Sequence, residues 1–331
     1  MNEIEKLLSA PDAPVDTERA LARLRARVES ERIVPVTRMA TAPRRVAASG
    51  WLKGLSAAAG VVLVATVLTV SGVAETILTI FEPKQIVAVP ITMNDLNGAP
   101  SFATYGTLTW STPPRPYDVP DLRTAARESG MTVLVPATLP DGVGKARYGV
   151  MPRTTATFTF SADKARQAAA AQGRTAPPMP ANIDGSKLFM SGGPAVVQYY
   201  DDGTRPADAT SASPLAGMPK LIVAQGKPPT VQSDGVTVEQ LQSYLLAQPG
   251  ITPQLAAQIR AIKDPSSTLP IPIPVDMATS KKVTVQGVDG IFVGDSTGLG
   301  SAVIWTKDGI VYGVAGTLTE QQILVVANSL H

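Results

Sequence analysis

Apolar and polar positions along this 331-residue chain follow three different rhythms. The first is an unbroken run, GLSAAAGVVLVATVLTVSGVA from Gly54 to Ala74, 21 residues without a charge. As a helix it would be about 32 Å long, which matches a hydrocarbon core of about 30 Å. Its few polar groups are Ser and Thr hydroxyls that can bond to the preceding helical turn. A buried helix of a soluble protein competes with this reading, but a soluble helix of that length normally carries a charged face. A cleaved signal peptide also competes, with Gly72-Val73-Ala74 as its small-residue site. Its apolar core would normally follow a short basic region directly, whereas about 50 residues precede this run. An uncleaved single-pass transmembrane helix is the expectation, with Trp51 and Phe81 marking the interfaces of a segment 51–81.

The second rhythm is helical. DTERALARLRARVESERI, residues 16–33, opens with Asp16 or Thr17 as a cap and Glu18 in the first turn, and its arginines come later. Leu21, Leu24 and Val28 recur at i, i+3 and i+7 and form one narrow apolar stripe. So short a helix is marginal alone in water. It is either a juxtamembrane helix whose arginines meet anionic headgroups or a docking helix whose Leu21/Leu24/Val28 face enters a groove on a cytoplasmic partner. Pro35, Pro43 and the Ala/Arg mixture between them read as a tether, completing a segment 1–50.

The third rhythm, short alternating runs between turns, fills the remainder. Residues 82–118 carry Pro83, Pro90, Pro100, Pro113, Pro114 and Pro116, and read as a proline-rich stalk that contributes at most an edge strand. Residues 119–330 predict an α+β domain, a mostly antiparallel sheet with helices packed on one face. Asp121–Ser129 is a helix before Gly130, and MTVLVP (131–136) a buried strand. Ala146–Met151 and Thr154–Phe160 resemble a hairpin pair, and Ser161–Gln172 a capped helix. Lys187–Met190, Ala195–Tyr200 and Lys220–Gln225 are further strands. A capping box at Thr237–Gln240 and the pair Thr252-Pro253 open two helices, whose Leu241, Leu245, Leu255, Ile259 and Ile262 would pack on the sheet. LPIPIPV (269–275) lacks alternate amides, so it is an edge or polyproline segment. Four strands between Lys282 and Ala315, with turns at Asp289-Gly290 and Asp308-Gly309, end in a helix capped at Thr319–Gln322. One sheet would gather the strands from Met131 to Ala315.

Charge orients this plan. Up to Lys53 there are 10 basic and 7 acidic residues, against 19 and 20 in the remainder. The positive-inside bias places the N-terminus in the cytoplasm and residues 82–331 outside, a single-pass protein of the cell membrane whose first partner is the lipid bilayer. Composition then removes chemistries. The chain has no cysteine and its one histidine is the terminal His331. Cys/His sites for zinc, haem or iron–sulfur are excluded, as are cysteine and histidine-dependent nucleophiles, so no cofactor and no enzymatic activity are expected. GDSTGLGS (294–301) lacks the Lys-Ser/Thr ending of a phosphate loop and reads as a flexible β-connection. Asp201-Asp202 point to opposite sides of a strand and cannot share a proton. No helix-turn-helix, finger or arginine block signals nucleic acid. Tyr199, Trp305 and Tyr312 are either half-buried sheet residues or the lining of a ligand cleft.

TVLVPATLPDG (132–142), VTVQGVDGIFV (283–293) and AVIWTKDGIVYGVAGTLTEQQILVVANSL (302–330) carry a resemblance. With the basic N-terminal segment and single span, the chain resembles bacterial single-pass anti-sigma-like membrane proteins with an extracytoplasmic α+β domain. The likeness covers roughly residues 120–330, with 161–185 and 203–217 as additions. It implies an envelope sensor, or a regulator of an extracytoplasmic-function sigma factor, responding to an unidentified outer ligand. The zinc-containing members place one histidine and two cysteines in their cytoplasmic helices; this chain has none there, so metal-supported sigma binding is not implied. The contrasting expectation is a structural or lipid/peptide-binding ectodomain on a purely anchoring segment. The topology makes a direct prediction: the intact protein pellets with membranes and leaves them only with detergent, and a protease-sensitive tag after His331 is cleaved from outside intact cells. A soluble chain or a protected tag refutes the single-pass topology.

Overall fold

A computed structural model describes residues 77–201, 219–296 and 300–331. The helix expected to carry Leu21, Leu24 and Val28 and the span expected at 54–74 lie outside them. Among the described residues no helix is long and apolar enough to cross a membrane. The chain forms β1 (Leu78–Phe81), β2 (Gln85–Ile91), α1 (Met93–Gly98), a 3₁₀ turn (Phe102–Tyr105), β3 (Gly106–Thr112) and β4 (Tyr117–Val119). There follow α2 (Leu122–Ser129), β5 (Ala146–Met151), β6 (Thr154–Phe160), α3 (Ala162–Ala171), β7 (Lys187–Gly192) and β8 (Ala195–Tyr200). Then come β9 (Leu221–Gly226), β10 (Thr230–Ser233), α4 (Val238–Leu246), α5 (Pro253–Arg260) and β11 (Thr268–Pro274). The chain ends with β12 (Ala278–Val285), β13 (Val288–Asp295), β14 (Ser301–Lys307), β15 (Ile310–Gly316) and α6 (Glu320–Asn328). The fold is α+β, with mostly antiparallel sheets and helices packed against them.

Three proline-marked breaks decide how these strands are shared. A proline has no amide hydrogen to give a ladder, so a strand that meets one must end or turn away. Pro152 separates β5 from β6, Pro194 separates β7 from β8, and Pro228-Pro229 separate β9 from β10. In each case one strand joins an eight-stranded sheet, ordered β12-β13-β14-β15-β9-β8-β5-β4, and the other a five-stranded sheet, ordered β1-β10-β7-β6-β3. The pairing is continuous across the breaks: Met151 faces Ala195 and Thr154 faces Gly192, while Gly226 faces Ala195 and Thr230 faces Ser191. Three neighbouring strands therefore turn the same corner together. This corrects two expectations. The strands gather in two antiparallel sheets and a separate pair, not in one sheet, and β5 and β6 are not a hairpin pair because Pro152 sends them into different sheets.

The larger sheet is covered on one face. Alternation puts Val303, Trp305, Tyr312, Val314, Val223 and Tyr200 on that face, where α6 meets them with Ile323, Val326 and Ala327. Beside it α2 packs Ala125 on Val150 and Val196. Asp121 caps α2 by accepting from the Thr124 N–H at 2.7 Å, and Gly130 closes it with a φ of 63°, the left-handed position that glycine takes without strain. Between the helices runs 131–136, which is not a strand. Met131 and Val133 are buried, but the backbone is held by side chains. The Leu134 N–H donates to Gln225 Oε1 at 3.0 Å, and its carbonyl accepts from Gln198 Nε2 at 2.7 Å and Gln225 Nε2 at 2.9 Å. Val135 exchanges backbone bonds with His331. The apolar run is extended and buried as its composition demands, yet it lies over the sheet instead of within it. The turn of the first C-terminal hairpin also differs: it is Gln286-Gly287, with φ of 49° and 81°, while Asp289-Gly290 opens β13. Gly290 faces Trp305 across the ladder, and an added Cβ would crowd the Trp305 Cβ.

On the smaller sheet Ala156, Phe158, Phe160, Leu188, Met190 and Val231 make one apolar face, covered by α3, α4 and β11. The opposite face presents Thr155, Thr157 and Thr159. Residues 82–118, the expected stalk, supply β2, α1 and β3, with Val89 and Ile91 buried and β3 at the edge of the smaller sheet. The proline-alternating β11 pairs in parallel with β2, as an edge segment able to bond on one side. The glutamine contacts generate a prediction. Gln225→Leu strands the buried Leu134 N–H and should lower stability by about 1–3 kcal/mol, read from the urea midpoint. An unchanged midpoint would mean that these bonds do not hold the segment.

Candidate functional site

Five of the side chains picked out by helical periodicity border a cavity. Leu241 and Leu245 of α4, with Leu255 and Ile259 of α5 and Ile262 just beyond, face an opening of about 230 Å³. The other walls are β1, β2, the 99–105 segment, Val231 of β10, and β11 with the residues leading into it. Among the lining residues only Tyr105, Gln242 and Thr268 carry a polar side-chain group, and none is charged. Burial, and after it the neighbouring Tyr244 phenol, push the Tyr105 pKa well above the ordinary phenol value, so Tyr105 stays neutral. Gln242 Nε2 donates to the Ile259 carbonyl at 3.2 Å, and Thr268 Oγ1 accepts from Gln85 Nε2 at 2.8 Å. Gln242 and Thr268 are thus already tied to the protein, and the neutral Tyr105 phenol is the remaining polar side-chain group of the wall.

Local chemistry builds each wall. In β1 the register against β10 shifts between Thr79 and Phe81. This irregularity lets the consecutive residues Ile80 and Phe81 both be buried and both line the cavity, which strict alternation would forbid. Thr237 caps α4 in a capping box with Gln240, as its spacing predicts. The turn into α5 passes Gly250, whose φ is 99° and where an added Cβ would collide with the Gly98 carbonyl oxygen. That close approach seats Ala99 beside Ile251 in the wall. Thr252 caps α5 by accepting from the Leu255 N–H at 3.1 Å, and its hydroxyl donates to Asp95 Oδ1 at 2.6 Å. Asp95 Oδ2 in turn accepts from the Thr92 N–H at 2.8 Å and the Thr92 hydroxyl at 2.7 Å. One carboxylate, only 6% exposed, therefore ties the start of α1 to the start of α5.

Of the three residues that the sequence offers as sheet residues or a cleft, two meet and the third lies apart. Trp305 and Tyr312 stack at 5.3 Å between centroids, and Trp305 is completely buried beneath α6. Tyr199 lies on the opposite face from its neighbour Tyr200, with the Arg147 guanidinium 5.9 Å from its ring centroid. Asp201 accepts from that same arginine at 3.1 Å. Asp295 accepts from the Gly300 N–H at 3.0 Å and closes the start of the glycine-rich connection. No group of three or more metal-ligating side chains occurs among the described residues. Leu21, Leu24 and Val28 lie outside them. The cavity went unseen in the sequence because its lining is scattered from position 80 to position 272, and each residue alone reads as core.

No family model, no curated protein and no solved structure matches this chain.

Asp95 offers a pH-dependent test of the wall. Burial works to raise its pKa, but the bonds from the Thr252 hydroxyl and from the Thr92 backbone and hydroxyl outweigh it, so the folded value is lowered. A lowered folded pKa means that the charged form contributes stability above the unfolded value of about 3.9, a contribution lost as pH falls through the folded value. Asp95→Asn should cost about 1–3 kcal/mol at pH 7, with the difference from the native chain shrinking below about pH 4. A constant difference across that range would remove the carboxylate from the account.

Proposed function

We propose that this chain is a membrane-anchored extracytoplasmic sensor or regulator without enzymatic activity. Its outer domain receives an apolar ligand in the cavity, and its inner helix holds a cytoplasmic regulator. The resemblance at residues 132–142, 283–293 and 302–330 makes an extracytoplasmic-function sigma factor the partner to test first. The observation that carries the reading is the cavity itself, an uncharged hydrophobic space whose few polar wall groups are Gln242 and Thr268, already engaged, and the neutral Tyr105 phenol. Such spaces bind apolar molecules, and few polar groups suffice to orient them. The place of β1 supports the link to signalling. Five residues separate Ala74, the end of the expected span, from Ile80 in the cavity wall. A change in that strand on ligand binding is thus delivered close to the anchor.

The same cavity also favours a second reading, a lipid- or peptide-holding ectodomain on a purely anchoring segment. The inner stripe separates the two. The full chain is captured from detergent-solubilised membranes, and its partners are compared with those of the Leu21→Asp/Leu24→Asp variant. Sensing predicts a cytoplasmic protein that copurifies with the native chain and falls at least tenfold with the variant. A partner retained at the same level refutes the docking face, and the absence of any partner on the native chain leaves the anchored ectodomain as the function.

A further inference from the structure

We infer that the cavity takes the alkyl tail of a single-chain lipid drawn from the adjoining bilayer. The inference rests on the proposed ligand-binding, membrane-anchored reading and names the ligand class for that site. Size comes first. A dry apolar cavity of about 150 Å³ accommodates benzene, and this one is about 230 Å³. At roughly 30 Å³ for each water-sized unit, it has room for about eight units, close to eight methylenes of one chain.

Chemistry of the wall comes second. Aliphatic side chains of α4, α5 and the β2–β11 pair make up most of it, and the aromatic rings are confined to Phe81, Phe102 and Tyr105. A charged or hydrogen-bonding headgroup finds no charge in the wall, and the side chains of Gln242 and Thr268 already hold protein partners. Only the hydrocarbon end of an amphiphile is accepted, and its head stays outside.

Access comes third. The expected span ends at Ala74, and six residues of chain can reach no more than about 20 Å, so Ile80 and the wall it belongs to stay near the membrane surface. A tail passing from bilayer to cavity exchanges one hydrocarbon environment for another. What it adds is close van der Waals contact with an apolar lining that is otherwise partly open to solvent.

The test uses the full chain reconstituted in phosphatidylcholine vesicles. These contain a trace of lysophosphatidylcholine bearing a diazirine near the end of its acyl chain or, in a parallel sample, a phenyl diazirine without a chain. After irradiation the labelled peptides are mapped by mass spectrometry. The acyl reagent should label peptides within residues 238–262, and excess unlabelled lysophosphatidylcholine should suppress that label. Leu245→Trp, which fills the space, should lower it at least tenfold while labelling within residues 54–74 stays constant. Ile259→Phe serves as a second filling variant, and an unchanged near-UV circular dichroism spectrum verifies that each variant is folded. If the phenyl reagent labels the cavity and the acyl reagent does not, the ligand class is wrong and the cavity reading survives. If neither reagent enters, both fall.

Discussion

Everything in the described fold follows from amides that are missing at one corner. Pro152, Pro194 and Pro228-Pro229 interrupt three adjacent ladders at matching positions, and the chain turns at each. A break in one strand would make a bulge. Breaks aligned across three neighbours bend the whole ribbon and divide its strands between two sheets. The smaller sheet then needs its own cover for Phe158, Phe160, Leu188 and Met190, and that cover is assembled from α3, α4 and the proline-alternating β11.

The two sheets are covered in different ways. On the larger one, Trp305, Ile323, Val326 and Ala327 are completely buried, and the two glutamines that reach across the layer spend their amides on Leu134. Those glutamine amides hold a backbone that has no ladder of its own, so the Leu134 amide and carbonyl are not left orphaned. Over the smaller sheet the cover is α3, α4 and β11, while α5 packs on β2, and each of these short helices is fixed by its own cap. Thr237 and Thr252 set where α4 and α5 begin, and Asp95 joins α5 to α1. Caps fix the ends of helices but not the fit of their faces. Between the faces of α4 and α5 and the strands below them a space remains.

What could be read from the sequence follows the same division. Capping is local, so Asp121, Ser161, Thr237, Thr252 and Thr319 mark their helices correctly from spacing alone. The pattern of strands and helices likewise gives the α+β class. Partnership is not local. β5 and β6 look like a hairpin pair until Pro152 is seen to align with Pro194, 42 positions later. The run 131–136 has the composition of a central strand, and only the remote Gln198 and Gln225 reveal why it needs no ladder. Gln286-Gly287 makes the tighter turn although Asp289-Gly290 is the stronger local signal, because Gly290 is needed where Trp305 leaves no room for a Cβ. Tyr199, Trp305 and Tyr312 read as sheet residues or as a cleft; Trp305 and Tyr312 stack beneath α6, and pleat alternation puts Tyr199 on the other face from Tyr200. Periodicity did select Leu241, Leu245, Leu255, Ile259 and Ile262, and it was silent on whether they meet a sheet or a space.

That space has an energetic consequence that bears on function. The space is partly open to solvent, so the aliphatic side chains that line its 230 Å³ meet water where a closed core would give them apolar neighbours. An apolar occupant removes that surface from water and stabilises the filled form by its contacts with the wall. The wall that feels this difference includes β1, a four-residue edge strand with a single neighbour, β10, and an irregular register at the two residues that face the space. Few backbone bonds hold it, so its position is more sensitive to what fills the cavity than that of any strand paired on both sides. It is also the first described strand after the expected span. The wall strand at the edge of the smaller sheet therefore lies nearest in sequence to the expected span.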